Sequence, residues 1–329
     1  MSKTILVVGG AGYIGSHTNY ALLEKGYKTI VFDNLSRGHL SAVSVDSEFI
    51  QGDLVDVESI RGVFKTHKID GVIDFAASIE VGESQLNPQL YYYNNVVNSL
   101  NLFQVMLEFG VKNIVFSSTA ATYGLPEVTP ITESTPNKPI NTYGRTKLMI
   151  EQILSDYHRA YNLNSICLRY FNACGADLNL RTGEDHNPES HLIPLIFQSI
   201  SGKRDSITIF GSDYKTPDGT CVRDYIHVMD LAEAHILALE KMFNQKGFCE
   251  IINLGTGKGF SNLEIVRMVE KVTNLKVPLK MGDRRLGDPD ILVANNTKAR
   301  EILNWEPKNS DLKNIIQSAW NWYTKLNQI

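Results

Sequence analysis

The chain is expected to fold as an α/β protein, a doubly wound parallel sheet followed by a smaller mixed lobe. Three observations predict this. Short β-branched runs alternate with helical periods up to about Tyr170, the first run ends in a glycine-rich turn, and the second ends in an acidic residue. Beyond Phe171 the rhythm changes, with Pro188, Pro194, Pro217, Pro278 and Pro289 punctuating shorter elements.

The first strand, Ile5 to Val8 entered from Thr4, runs into Gly9, Gly12 and Gly15 and then into a helical pattern ending near Lys25. Gly9 permits the tight turn, Gly12 lets the backbone approach a pyrophosphate, and Gly15 lets helix and strand pack closely. The exposed helix N-terminus attracts the phosphates. The spacing Gly-x-x-Gly-x-x-Gly differs from the commoner Gly-x-Gly-x-x-Gly, but the strand and helix around it identify a dinucleotide-binding Rossmann turn. The second strand, Lys28 to Phe32, is followed by Asp33, eighteen positions beyond Gly15, where a carboxylate is expected to hold a ribose. Its charge favours NAD over NADP, although Arg37 stands near enough to pair with a 2′-phosphate. The remaining strands are expected at Glu48 to Gln51, Gly71 to Phe75, Asn113 to Ser117 and Ser165 to Tyr170. All are apolar on both faces, as buried parallel strands require. Asp53, just past the third strand, falls at the sheet's carboxyl edge, where such folds bind ligands. Helices are expected at 229 to 243, 261 to 272 and 310 to 325. One long helix is expected from Ser84 to Phe109, whose apolar residues circle the axis and demand burial on more than one side, against the sheet and against a second copy or a neighbouring helix.

With 329 residues the chain exceeds one ordinary core, so two lobes are expected: residues 1–172 for the dinucleotide and 173–329 for substrate, with the chain crossing between them. A net charge of −4 supplies no basic field for nucleic acid, and no apolar stretch is long enough for a membrane span. Cys167, Cys174, Cys221 and Cys249 form no Cys-x-x-Cys pair, and no signal peptide precedes the first strand. Both point to the cytoplasm.

Tyr143 and Lys147 are four residues apart, which puts them on one helix face in a stripe continued by Ile150, Leu154, Tyr157 and Tyr161. Taken alone, the pair reads as a core tyrosine and a snorkelling lysine. Beside a nicotinamide it reads differently. A phenol with a pKa near 10 needs a depression of about 3 units, or about 4 kcal/mol, to act as a base at neutral pH. The lysine ammonium and the positive nicotinamide ring together can supply it, so Tyr143 becomes a base when oxidised cofactor is bound. Thr119, at the end of the fifth strand, is placed to hydrogen-bond the same substrate hydroxyl.

Gly9 to His17, Tyr143 to Lys147, Tyr170-Phe171-Asn172, and the run from Ile209-Phe-Gly to Val222-Arg-Asp-Tyr-Ile-His-Val-Met-Asp230 resemble, over nearly the full length, the UDP-glucose 4-epimerase branch of the extended short-chain dehydrogenase/reductase superfamily. The resemblance implies reversible C4 epimerisation of UDP-galactose and UDP-glucose, an isomerase reaction of galactose metabolism. Tyr143 would take the proton from the 4-hydroxyl while hydride passes to a tightly held NAD, and the 4-keto sugar would turn in the pocket before recovering both. It implies cofactor contacts from Gly9, Gly12, Tyr13, Ile14, Gly15, Asp33, Asn34, Asp53, Leu54, Phe75, Ala76, Ala77, Asn94, Ser117, Tyr143, Lys147 and Tyr170. It implies UDP-hexose contacts from Thr119, Tyr143, Asn172, His191, Phe210, Arg223, Tyr225, Arg285, Asp288 and Leu292; the homodimer is an expectation from the helix of residues 84–109. Three positions depart from patterns in the family: Ile79 replaces a cofactor-contacting lysine, His191 an asparagine, and Leu292 a bulky tyrosine, which leaves room for an N-acetyl group.

A dehydratase or decarboxylase would place a carboxylate after the threonine, where Ala120 and Ala121 stand; alanine cannot protonate a leaving group. A non-catalytic NAD sensor would not need Thr119, Tyr143 and Lys147. Glu184, Asp185, His186, Glu189 and His191 match no zinc spacing and are expected to form a solvated loop without metal.

Overall fold

The computed structural model describes residues 2–285 and 287–329. Its centre is a seven-stranded sheet built from β1 (Thr4–Val8), β2 (Lys28–Asp33), β3 (Glu48–Gln51), β4 (Gly71–Asp74), β5 (Asn113–Thr119), β6 (Asn164–Tyr170) and a last strand, Cys249–Leu254. Every pairing is parallel, and the order is Cys249–Leu254, β6, β5, β4, β1, β2, β3. The chain winds outward from β1 through β2 to β3, then returns beside β1 with β4. That reversal opens a crevice at the carboxyl ends of β1 and β4.

Apolar side chains cover both faces of the sheet, as expected for strands with no polar face. Ile5, Val7, Val31, Ile73 and Val115 pack on one side against helix Val228–Asn244, and Leu6, Val8, Ile30, Val72 and Ile114 on the other against helix Asn98–Glu108. A third core joins helices Leu192–Ile200, Asn262–Thr273 and Leu312–Asn327 to the short strands Ile207–Phe210 and Tyr225–His227. The helix Asn262–Thr273 starts on a capping box between Ser261 and Glu264.

The single helix expected from Ser84 to Phe109 is instead four segments: Val81–Leu86, Pro88–Tyr91, a π-helical stretch Tyr92–Val97, and Asn98–Glu108. Pro88 explains the first break, since its ring excludes a preceding helical residue and it has no N–H to donate. The π-helical stretch accompanies Asn95, whose amide accepts from Ser78 N at 2.8 Å and donates to Ser78 O at 3.0 Å and to Thr146 Oγ1 at 3.1 Å. Leu86, Leu90, Tyr93 and Val97, spread over the first three of these segments, are nevertheless exposed.

Candidate active site

A cavity of about 640 Å³ opens at the crevice, lined among others by Gly12, Phe75, Ser117, Thr119, Tyr143 and Tyr170. Its floor is the glycine turn. Gly9 has a φ of +72°, and a Cβ there would lie 2.8 Å from Ala76 N; one at Gly15 would lie 2.3 Å from Gly9 O. At Gly12 the nearest atom would be Gly9 O at 3.4 Å, so its open side faces the cleft. Helix Tyr13–Glu24 begins there without a side-chain cap or an acid in its first turn, leaving free N–H groups for an anion. These features fit a dinucleotide pyrophosphate.

Asp33 ends β2 beside this turn. Its Oδ2 accepts from Ala11 N at 2.9 Å and its Oδ1 from Leu35 N at 2.8 Å, and each oxygen keeps a lone pair for a ribose hydroxyl. Burial lifts its pKa, and those two N–H groups oppose the rise. Asn34 donates to Asp53 Oδ2 at 2.7 Å, fixing the two carboxyl-edge loops together. Arg37 turns away from Asp33: its guanidinium donates to Asn187 O at 3.2 Å and stands 4.0 Å from Glu83.

The reactive pair lies on helix Thr142–Tyr161, started by the Asn141 side chain accepting from Gly144 N and ended by Asn162 in the left-handed region. β5 runs two residues further than expected, so Thr119 is itself its last residue. Tyr143 and Thr119 face the same cavity. Burial pushes the Tyr143 phenol up to about 12, and the hydrogen-bonding Thr119 hydroxyl pulls the other way. The lysine does not supply the expected depression here. Lys147, 1% exposed, donates from Nζ to Ser117 O at 2.8 Å and lies 4.7 Å above the Phe116 ring. Burial draws its amine down to about 8, against the opposing pull of the Asp74 and Glu151 carboxylates. The inward stripe continues through Ile150 and Leu154, but Tyr161, in the last turn, is half-exposed.

Asp74 is a residue that the sequence reading missed. It ends β4 fully buried, with Oδ1 accepting from Ala76 N at 3.0 Å and Oδ2 without a hydrogen-bond partner among the described residues. Burial raises its pKa to about 6, opposed by the Lys147 charge and the Ala76 N–H. An aspartate closing an apolar strand looks like an edge residue, and only the packing of helix Thr142–Tyr161 over the edge reveals otherwise.

Of the remaining expected residues, Tyr13, Ile14, Ala77, Asn172, His191 and Tyr225 line the main cavity, together with Ile79. Asn94 donates to Ser78 Oγ at 3.0 Å, beside the cavity wall. Leu54 and Ala76 pack into the core beneath the carboxyl edge. Phe210, Arg223, Arg285, Asp288 and Leu292 lie outside that lining. Arg223 Nη2 donates to Asp288 Oδ1 at 2.7 Å, and Arg285 stacks 4.0 Å over the Phe210 ring. Arg285 and Asp288 line a second cavity of about 540 Å³ with Leu125 to Thr129. Leu292 packs against the cluster of Ala120, Tyr123 and Ile131. The segment 184–191 is exposed at Asn187, Pro188, Ser190 and His191, as a solvated loop would be, but the Glu184 and Glu189 side chains within it are only 8% and 5% exposed.

A parallel switch-point cleft lined by a glycine turn and by Thr119 and Tyr143, with Lys147 buried one turn further along the Tyr143 helix, defines a dinucleotide-dependent enzyme of the short-chain dehydrogenase/reductase type. The family model described as "NAD dependent epimerase/dehydratase family" matches residues 5–255. A UDP-glucose 4-epimerase of Halalkalibacterium halodurans is 53% identical over 319 residues, 97% of this chain and 95% of that protein. Among solved structures, UDP-glucose 4-epimerase from Brucella ovis in complex with NAD is 46% identical with a TM-score of 0.95, covering 98% of both chains. The enzyme from Bifidobacterium longum in complex with NAD+ and UDP is 39% identical with a TM-score of 0.93, again over 98% of both chains. The chain belongs to the NAD-dependent epimerase/dehydratase family, and its similarity to the UDP-glucose 4-epimerases within it extends over nearly its whole length.

Proposed function

We propose that this chain is an NAD-dependent UDP-glucose 4-epimerase, interconverting UDP-galactose and UDP-glucose through a transient 4-keto sugar. The glycine turn and Asp33 hold the dinucleotide, and Asn172 and Tyr225 lie where the nucleotide sugar would enter. Residues 1–172 supply the cofactor lobe and 173–329 the nucleotide-sugar lobe, with Cys249–Leu254 crossing back into the first. Phe210, Arg223, Arg285, Asp288 and Leu292 would join the substrate site when bound UDP-hexose spans the gap from the second cavity.

The chemistry supplied by bound NAD is reversible uptake of the C4 hydrogen with its electron pair, which leaves the overall reaction redox-neutral. The protein's own part is proton transfer. Tyr143 takes the proton of the 4-hydroxyl and returns it after the sugar has presented its other face, Thr119 holds that oxygen, and Lys147 supplies positive charge from below. Moving the phenol from about 12 to neutrality asks for roughly 7 kcal/mol. One opposite charge typically supplies about 1 to 3 units, so the positive ring of bound NAD and the Lys147 ammonium would have to act together, and the base would be made by cofactor binding.

The observation that carries the reading is the convergence of Thr119 and Tyr143 on the wall of the cavity whose floor is the glycine turn. Ala120 and Ala121, in the turn after β5, leave no acid there to expel a leaving group. Purified protein should convert UDP-galactose into UDP-glucose without added reductant, and Tyr143→Phe should lose at least a factor of about 10² to 10⁴ in kcat. Formation of a stable 4-keto product, or NAD binding without turnover, would defeat the proposal.

The same reading makes the enzyme a cytoplasmic homodimer. Its four cysteines are free, and the exposed Leu86, Leu90, Tyr93 and Val97 side chains would pack against their equivalents in a second copy. Light scattering that finds a monomer at micromolar concentration would remove the dimer.

A further inference from the structure

Glu184, His186, Glu189 and His191 fall within eight residues of one loop on the rim of the main cavity, and one donor atom from each lies within 4.8 Å of all the others. Glu184 Oε1 is 3.3 Å from His186 Nδ1 and 2.5 Å from His191 Nδ1, while Glu189 carboxylate oxygens lie 3.8 Å from His186 Nδ1 and 3.5 Å from His191 Nδ1. A tetrahedral zinc ion with bonds of about 2.0 to 2.1 Å holds its ligand atoms roughly 3.4 Å apart. Three of these four separations, out of the six edges of a tetrahedron, are within a few tenths of an ångström of that value, the two from Glu189 being to its Oε2 and its Oε1. The short one opens when a metal replaces the proton shared by Glu184 and His191.

His186 Nδ1 is an independent sign. The atom is shielded from solvent and, among the described residues, has only ion-pair approaches of 3.3 Å to Glu184 and 3.8 Å to Glu189 and no partner in hydrogen-bond geometry. Two carboxylates in nearly dry positions beside two imidazoles are the donors that zinc takes, and a dication would neutralise both. From these observations we infer that the four side chains form a closed, four-coordinate Zn²⁺ site.

Its place in the fold indicates its role. The loop is tied to helix Tyr13–Glu24 by the edge-on contact of Tyr13 with His186, to the strand β2 side by His39 Nε2 against Asp185 O at 2.9 Å, and to the C-terminal helix by Trp322 Nε1 donating to Glu184 O at 3.1 Å. A metal here would buckle the loop shut over the pyrophosphate end of the cleft. No residue of the Thr119–Tyr143–Lys147 group is among its ligands, so the ion braces the cavity wall and takes no part in the chemistry.

The test is metal content and spectroscopy on the full chain. Protein stripped with chelator and dialysed against micromolar ZnSO₄ should retain one zinc per chain, and Co²⁺ loaded in its place should give the intense visible bands of tetrahedral cobalt. His186→Gln and Glu189→Gln should each reduce zinc retention at least tenfold, whereas Asp185→Asn, whose carboxylate is outside the ligand set, should retain it. Circular dichroism of each variant separates loss of the site from loss of the fold, and the His191→Asn variant offers a second removal of one ligand. No uptake by the parent, or equal uptake by parent and folded ligand variants, would overturn the assignment.

Discussion

Asp74→Asn is expected to damage turnover in a pH-dependent way. Asp74 is the first group opposing the desolvation of Lys147, whose amine sits at about 8. One opposite charge moves such a midpoint by roughly 1 to 3 pH units, so its removal should bring the lysine to roughly 6. At pH 7 the parent then carries the ammonium in roughly nine molecules of ten and the variant in about one of ten, a loss of about tenfold in kcat. The sign follows from the direction of each group. Lys147 is lowered, so its charge is complete well below 8 and disappears as the pH rises through 8. Asp74 is raised to about 6, so its carboxylate forms only above that value. The two charges coexist from about 6 to 8, and the parent should lose activity as the pH rises through 8. UDP-galactose turnover should be followed from mildly acidic to alkaline pH for both proteins. The variant-to-parent ratio should recover toward unity at the acid end. A ratio that stays flat across the range would mean that Asp74 acts only through packing, and the electrostatic reasoning would fail.

Other outcomes follow from the same structure. Glu151→Gln leaves the fully buried Arg169 guanidinium without its anion, which should cost about 3 to 5 kcal/mol and lower Tm by roughly 6 to 15 °C in calorimetry; the double change Glu151→Gln with Arg169→Met should recover much of it. Gly15→Ala puts a carbon 2.3 Å from Gly9 O, and the displaced turn should weaken NAD binding about 10- to 150-fold in a fluorescence titration, equivalent to one lost charge-assisted hydrogen bond. Leu292→Tyr should depress turnover of UDP-N-acetylhexosamines relative to UDP-galactose; an unchanged ratio would show that this position does not gauge the C2 substituent.

Much of the sheet was legible because parallel strands buried on both faces leave continuous apolar runs, and glycines that no Cβ can replace mark the turn between β1 and its helix. Tyr143 and Lys147 were legible because their four-residue spacing stands in a chain that also carries a dinucleotide-binding turn; the spacing by itself reads as core packing. The break at Pro88 was written in the chain but was outweighed by a long apolar pattern, and the π-helical stretch depends on Asn95 reaching Ser78 and Thr146, contacts that no local pattern encodes. Asp74 was passed over, and the burial of the Glu184 and Glu189 side chains was not foreseen, for a common reason. Charged residues in sequence suggest solvent, and only long-range packing decides whether water reaches them.

The strand Cys249–Leu254 has a consequence for dissection of the molecule. It is contributed by the C-terminal half yet completes the ladder beside β6. A fragment ending near residue 172 would leave the β6 backbone donors and acceptors bare along six residues, a template for edge-to-edge aggregation. The dinucleotide half should therefore prove insoluble when expressed by itself, and limited proteolysis should nick the chain without releasing either portion.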